Sequence, residues 1–233
     1  MRAFFIGKNP YFCCMAKLVI FGTGDIAQIA AYYFKIDSDH EVVAFTVDKQ
    51  YIKEPVFEGL PVVPFEDIEK HYPPALFKMF IATSYAKLNK IREAKYNEAK
   101  AKGYELVSYI SSKCTYLSQY PCGDNCFIFE DNTIQPYVKI GNNVTLWSGN
   151  HIGHHSTIAD HNFISSHVVI SGHCNIGSYC FLGVNSCTHH YVNIAPETII
   201  GAGVIITDNT KQGDVWVPAK PSKLDKKSDQ INL

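Results

Sequence analysis

Three imidazoles crowd the segment Asn150-His151-Ile152-Gly153-His154-His155-Ser156-Thr157-Ile158. An imidazole with a pKa near 6.5 can accept a proton at neutral pH or ligate a metal ion. Eight of the ten histidines lie between His151 and His190, and His155, His161, His167 and His173 recur every six residues. General-base chemistry, zinc binding and a plain run of outward polar positions are the three readings of this stretch. A second chemical signal is Gly22-Thr23-Gly24-Asp25-Ile26-Ala27, which follows the apolar run Lys17–Phe21. A G-x-G-x-x-A turn between strand and helix lets a phosphate approach the backbone and rest on the helix N-terminus. Asp48, twenty-four residues beyond Gly24, stands at the spacing of a ribose-binding acid. The plainer reading is that these glycines only pack the helix on its sheet. Of the eight cysteines, Cys122 and Cys126 lack a second pair for a zinc site, and Cys174 and Cys180 share a phase that wants a small buried residue. Free buried thiols are expected rather than disulfides.

Two different kinds of chain must position these groups. From Ile128 to Ile206 every sixth residue is Ile or Leu, with Thr188 as the one break. Four places on from each stand mostly small or β-branched residues, such as Val138, Ser156, Val168 and Cys174. One place on stands often glycine, as at Gly141, Gly153, Gly177 and Gly183. A helix repeats near 3.6 residues and a strand near 2, so a period of six describes a short strand plus a turn. One aliphatic side chain per hexad then fills a narrow core, and successive coils stack as a parallel β-helix. The glycines are expected to supply backbone freedom at the corners. If a coil holds eighteen residues, Gly172 stacks on His154, and of the four periodic histidines only His155 and His173 share a face. Thr188, followed by His189 and His190, is expected to mark a bulged turn.

Upstream the texture alternates. After Lys17–Phe21 and a helix to about Phe34, strands are expected at Glu41–Val47, Pro61–Val63, Phe77–Ala82 and Glu105–Ile110. Helices are expected at Glu66–Tyr72 and Ala86–Lys102, the latter with Leu88, Ile91 and Tyr96 on its apolar side and Gly103 as its stop. Such alternation implies a parallel α/β sheet. The expected division is an extension, 1–14, an α/β domain, 15–110, a β-helix, 111–212, and a polar tail, 213–233. The α/β part is one half of a dinucleotide fold and leaves no second dehydrogenase domain, which argues against a dehydrogenase. A net charge of −1 gives no reason to expect a nucleic-acid or membrane surface, and no apolar run approaches transmembrane length. Met1–Cys14 lacks the features of a signal peptide, so a cytoplasmic location is expected.

The Ile-Gly-x-x-Val/Ser-x pattern resembles the hexapeptide-repeat acyltransferases. Joined to the glycine turn, and to the closing Val215-Trp216-Val217-Pro218-Ala219-Lys220-Pro221, it is similar to the bacterial sugar O-/N-acyltransferases over about Lys17 to Lys223. That group includes sialic acid O-acetyltransferases and N-acetyltransferases of UDP- or dTDP-linked amino sugars. The resemblance implies a Rossmann-like N-terminal domain holding the nucleotide, a left-handed β-helix of hexapeptide repeats holding acetyl-CoA, and a homotrimer with sites between subunits. Matching Cys180-Phe181-Leu182-Gly183-Val184-Asn185-Ser186 to the family fixes the register. The catalytic base then falls on His154, with His155 where the family often carries an acid. Acyl-CoA contacts fall on Gly172, Val184, Ala202 and Gly203, and nucleotide-sugar contacts on Gly22, Thr23, Gly24, Asp48, Lys49 and Ser84. The activity implied is transfer of an acetyl group to a nucleotide-linked amino sugar, with a sugar O-acetyltransferase as the alternative. Neither a resident metal nor a covalent intermediate is expected. A zinc-binding β-helix of the γ-carbonic-anhydrase type, or a non-enzymatic module, is the reading from another class. Its ligand spacing, two histidines about five apart after a distant first, is not matched.

Overall fold

The computed structural model describes residues 15–225 and 227–231, so the expected extension at 1–14 lies outside the described residues. The N-terminal layer contains β1 (Lys17–Phe21), α1 (Asp25–Asp37), β2 (Glu41–Val47), β3 (Val56–Phe57), β4 (Leu60–Pro64), α2 (Ile68–His71), β5 (Phe77–Ile81) and α3 (Lys90–Ala101). The sheet runs β3-β4-β2-β1-β5, with β4, β2, β1 and β5 parallel and β3 folded back on β4 as a hairpin. Leu18, Val19 and Ile20 of β1 are fully buried, the mark of a central parallel strand covered on both faces.

Two expectations for this layer are corrected. The helix predicted from Ala86 starts at Lys90, because Lys87, Leu88 and Asn89 take φ of 51°, 51° and 64°. A left-handed turn cannot run into a right-handed helix. The helix buries Arg92, Tyr96 and Ala99 and leaves Ile91 exposed. Arg92 displaces the expected apolar stripe because its guanidinium donates to Thr145 Oγ1 and to the carbonyls of Asn143 and Asn162, and lies over the Phe163 ring. Burial without a carboxylate partner brings its pKa down to about 10. The strand predicted over Glu105–Ile110 splits as well. Leu106 bridges Met79 at the sheet edge, and Tyr109–Ile110 already belongs to the next structure.

From Tyr109 the chain climbs as a parallel β-helix of two-residue rungs, three rungs to an eighteen-residue coil, so that Thr145 pairs Phe163 and Leu146 pairs Ile164. The first face carries Tyr109–Ile110, Phe127–Ile128, Thr145–Leu146, Phe163–Ile164, Phe181–Leu182, Ile199–Ile200 and Val215–Trp216. The second carries Thr115–Tyr116, Thr133–Ile134, His151–Ile152, Val169–Ile170, Cys187–Thr188 and Ile205–Ile206. The third carries Lys139–Ile140, Thr157–Ile158, Asn175–Ile176 and Asn193–Ile194. The six-residue ladder forms the core, and Cys174 and Cys180 sit fully buried within it as free thiols. Phe127, Phe163 and Phe181, outward on the first face, are covered by Tyr33, Phe80 and Tyr85 of the N-terminal layer.

The corners differ from expectation. The residue with positive φ is three places beyond each core aliphatic: Asn143, His155, His161, His167, His173, Tyr179 and Asn185 all lie between 55° and 61°. The repeat of histidines every six residues is therefore a repeat of left-handed corners, where Asn, Asp and His are enriched. Gly153 and Gly183 serve another end. A Cβ on either would stand 2.5 and 2.7 Å from the backbone nitrogen of Gly172 and Ala202, so these glycines let adjacent coils approach. Thr188 makes no bulge. It is buried in the regular rung Cys187–Thr188, where its hydroxyl accepts from the Ser171 N–H at 3.2 Å and contacts Cys174 Sγ at 3.4 Å. His189 and His190 consequently occupy an ordinary corner.

Candidate active site

The corner between the second and third faces holds His154. Its N–H donates to Gln135 Oε1 at 2.8 Å and its carbonyl accepts from the His173 N–H at 2.9 Å, so the backbone is tied to the coils on either side. The imidazole lies across Gly172, one coil on. A Cβ there would come within 2.9 Å of both Cε1 and Nε2, so only glycine leaves the ring its place. His155 turns the chain at φ 60°, and its ring joins a column of aromatics. Tyr137 stacks on it at 4.5 Å, His173 at 4.8 Å on its other side, and Tyr191 continues beyond His173 at 4.8 Å. His154 stands edge-on to this column, at 88° to His155 and 87° to His173.

The two Nδ1 atoms of His154 and His155 face each other at 3.1 Å. One must carry the hydrogen between them. When it is His154's, its Nε2 keeps the lone pair and faces Gly172 as a base. His155 is thus the side-chain hydrogen-bond partner of the His154 imidazole. Partial burial, with His155, His154 and His190 as its electrostatic neighbours, holds the pKa of His173 below the ordinary histidine value. The ligating nitrogens of His154, His155 and His173 all lie within 4.8 Å of one another, the one such three-residue cluster among the described residues.

The nucleotide candidates gather at the carboxyl edge of the N-terminal sheet. Gly22 follows β1 with φ 128°, and a Cβ on it would meet the Ala82 carbonyl at 2.6 Å, so this position admits glycine alone. Thr23 comes next, and Gly24 caps α1 with open space around it and no side-chain cap. Ser84 follows β5, and Asp48 and Lys49 follow β2, the two strands that flank β1. This is the crevice where open α/β sheets take ligands. Asp48 is not free there, since Lys95 of α3 pairs with it at 2.7 Å. Lys95 also reaches Glu98; burial lowers its pKa, and these two carboxylates raise it more, to a net value above the usual lysine range. Asp25 opens α1 and disfavours a phosphate at that helix end.

The acyl-CoA candidates separate. Gly172 adjoins His154, whereas Val184 and Ala202 stack at another corner, between the first and second faces, with Gly203 donating to the Val184 carbonyl at 2.8 Å. The N-terminal layer covers the first face, and the His154 corner lies opposite that face. One chain therefore presents the carboxyl edge of its N-terminal sheet and the His154 imidazole on different sides. Gln135 and Lys95 were missed in the sequence. The eighteen-residue stacking could have found Gln135, which shares the corner of Gly153, but nothing local marks Lys95.

A six-residue ladder of core aliphatics, wound three rungs to a coil behind an α/β layer, is a hexapeptide-repeat architecture. Residues 137–172 match the family described as Bacterial transferase hexapeptide (six repeats). The whole fold is similar to the acetyltransferase domain of PglB from Neisseria gonorrhoeae FA1090, at TM-score 0.76 and 20% identity over 85% of this chain and 95% of that one. It is also similar to PerB from Caulobacter crescentus in complex with CoA and GDP-perosamine, at TM-score 0.73 and 19% identity over 86% and 93% of the two chains. WeeI from Acinetobacter baumannii AYE matches at TM-score 0.53 and 15% identity over 82% and 95%. At these identities the likeness is one of fold. No helix among the described residues is long and apolar enough to cross a membrane.

Proposed function

We propose that the protein is an acetyl-CoA-dependent N-acetyltransferase of a nucleotide-linked amino sugar, with His154 as general base. The observation that carries this is the His154 imidazole laid over Gly172, with its Nδ1 held by His155. In the reaction the sugar amine attacks the thioester carbonyl, forming a C–N bond. His154 Nε2 takes the amine proton, and the C–S bond breaks to release the CoA thiolate, which the same proton neutralises. The cysteines take no part, in keeping with a direct transfer; Cys180 is held by burial at a pKa of about 11.

The fold neighbours support the donor and the acceptor class, since PglB's acetyltransferase domain was solved with acetyl coenzyme A and PerB with CoA and GDP-perosamine. The strand order supports a Rossmann-like layer, which ends before Tyr109, holding the nucleotide through Gly22, Thr23, Gly24, Asp48, Lys49 and Ser84. The β-helix, from the rung Tyr109–Ile110 to the rung Val215–Trp216 and read as left-handed, would hold the acyl donor through Gly172, Val184, Ala202 and Gly203. A homotrimer accounts for the geometry. The crevice of one chain faces away from its own His154, so a neighbouring chain supplies the partner half of each site. The second face, with Val169 and Ile205 exposed, suits that interface better than the polar third face of Lys139, Asn175 and Asn193.

The test is a thiol-release assay with acetyl-CoA and a panel of UDP-, dTDP- and GDP-linked 3-amino- and 4-amino-sugars, with free sialic acid as the hydroxyl acceptor. Release with an amino sugar, lost in His154→Ala, is the expected outcome. Release with the hydroxyl acceptor alone would establish the O-acetyltransferase instead, and activity surviving in His154→Ala but not in His155→Ala would move the base.

A further inference from the structure

We propose that His154, His155 and His173 form a binding site for a divalent first-row transition-metal ion, with Zn²⁺ as the fitting case, acting as an inhibitor of the site and not as its cofactor. Three imidazoles from two adjacent coils converge there, with their ligating nitrogens within 4.8 Å of one another. Nδ1 of His154 and Nδ1 of His155 stand 3.1 Å apart. A tetrahedral zinc with bonds of about 2.0–2.1 Å spaces its nitrogen ligands by roughly 3.3–3.4 Å, so this pair already sits near one edge of the polyhedron. One of two nitrogens facing at that distance carries a hydrogen toward the other's lone pair, and a metal ion can take the place of that hydrogen once it is released to water.

The rings are also held close together. Tyr137 and Tyr191 bracket His155 and His173, and the hydrogen bonds to Gln135 and from His173 fix the His154 backbone. His155 and His173 stack at 11° with centroids 4.8 Å apart, so their in-plane lone pairs run side by side, and one of the two rings tilts out of the column as the set closes on an ion. None of the three rings is buried, so an ion can enter from solvent. The donor set is imidazole alone. The electrostatic neighbours of His173 are His155, His154 and His190, with no carboxylate among them. Imidazole sets of this kind favour Zn²⁺, Ni²⁺ and Cu²⁺ over Mg²⁺ and Ca²⁺, which want oxygen. Three ligands leave a fourth position, which water or His190 would fill.

The consequence for catalysis rests on the proposed function. A metal on Nδ1 of a neutral His154 leaves the hydrogen on Nε2, the atom that would otherwise take the proton from the amine. A metal on Nε2 occupies that lone pair directly. Either way the base is lost while the ion is bound.

The test measures binding apart from activity. The chelator-stripped full chain is titrated with ZnCl₂ by calorimetry and with Co²⁺ by visible absorption, beside MgCl₂. His173→Phe keeps the ring column and removes a ligand, and His155→Asn keeps a residue suited to the left-handed corner; His189→Ala is the control. One Zn²⁺ per chain, a tetrahedral Co²⁺ spectrum, no Mg²⁺ binding, and affinity at least about tenfold weaker in either ligand variant are expected. Unchanged affinity in both variants, or the same loss in His189→Ala, would overturn the site, as would absence of Zn²⁺ binding by the wild type. Melting curves identify any variant that fails to fold, and the other then decides. In the thiol-release assay Zn²⁺ should inhibit the wild type reversibly by chelator. If no sugar gives turnover, the acetyltransferase reading fails and the titration still decides the metal site.

Discussion

Gly172 is the residue on which the geometry of His154 most depends. Its backbone has an ordinary negative φ, so alanine is tolerated there by the chain itself. The difficulty is the ring, because the new methyl would stand 2.9 Å from Cε1 and Nε2 of His154. The imidazole must swing away, and its hydrogen bond to His155 goes with it. A displacement of about 1 Å at a reacting group costs on the order of a hundredfold in rate. Gly172→Ala is therefore expected to lower kcat by about 10- to 100-fold with melting temperature little changed, as judged by thiol release beside thermal melting. A variant that keeps full kcat would mean that the ring over Gly172 is not the reacting group. That Gly172 stacks on His154 was legible in the sequence, through the eighteen-residue coil. The orientation of the His154 ring was not, because residue types do not reveal that His155 points its Nδ1 back at His154 while stacking on Tyr137.

At the scale of elements, α3 and the corner it docks on share a buried imidazole. His161 is 9% exposed, accepts at Nδ1 from Asn143 Nδ2 at 3.0 Å, and stacks on Tyr179 at 5.2 Å. From α3, Glu93 faces its Nε2 at 3.8 Å, Arg92 lies nearby, and Tyr96 meets the ring edge-on. Burial is the largest influence and lowers its pKa; Glu93, Asp160 and Asp124 raise it, Arg92 lowers it, and the net direction is down. A depressed histidine pKa favours the neutral fold. Its contribution is whole above the unfolded value of about 6.5 and is lost as pH falls from there through the folded pKa. Melting temperature should therefore drop between pH 7 and 5, and the drop should shrink in His161→Asn, whose amide suits the left-handed corner. An equal drop in that variant would place the acid sensitivity elsewhere. The rungs of this β-helix were readable because each spends one aliphatic side chain on the core, at a period no other element has. The corners were not, since His, Tyr and Glu take positive φ there and only backbone geometry reveals it. The same limit hid the left-handed turn at Lys87–Asn89 and moved the start of α3. It also hid Thr188, which satisfies the Ser171 N–H where an isoleucine could not.

The whole molecule raises a question of assembly. The N-terminal layer is fastened to the β-helix by directed hydrogen bonds, those of Arg92 and Asn125 buried. Arg92 holds two coil carbonyls, the Asn125 side chain holds both the N–H and the carbonyl of Ile81, and Asp37 accepts from Tyr109, Ser111 and Ser112. A hinge that would swing the crevice round to its own His154 has no place in such a joint. The proposed trimer removes the need, because the crevice of one chain can serve the imidazole of the next. This predicts complementation between two variants inactive for different reasons. His154→Ala lacks the base but keeps its crevice. Gly22→Val loses the crevice, since its side chain would strike the Ala82 carbonyl and could not adopt φ 128°. Each alone should give only background thiol release. In trimers reassembled from an equal mixture, about one interface in four joins an intact crevice to an intact imidazole, so about a quarter of wild-type activity should return. A monomeric protein, or a mixture that stays at background although mixed trimers form, would show that each chain completes its own site.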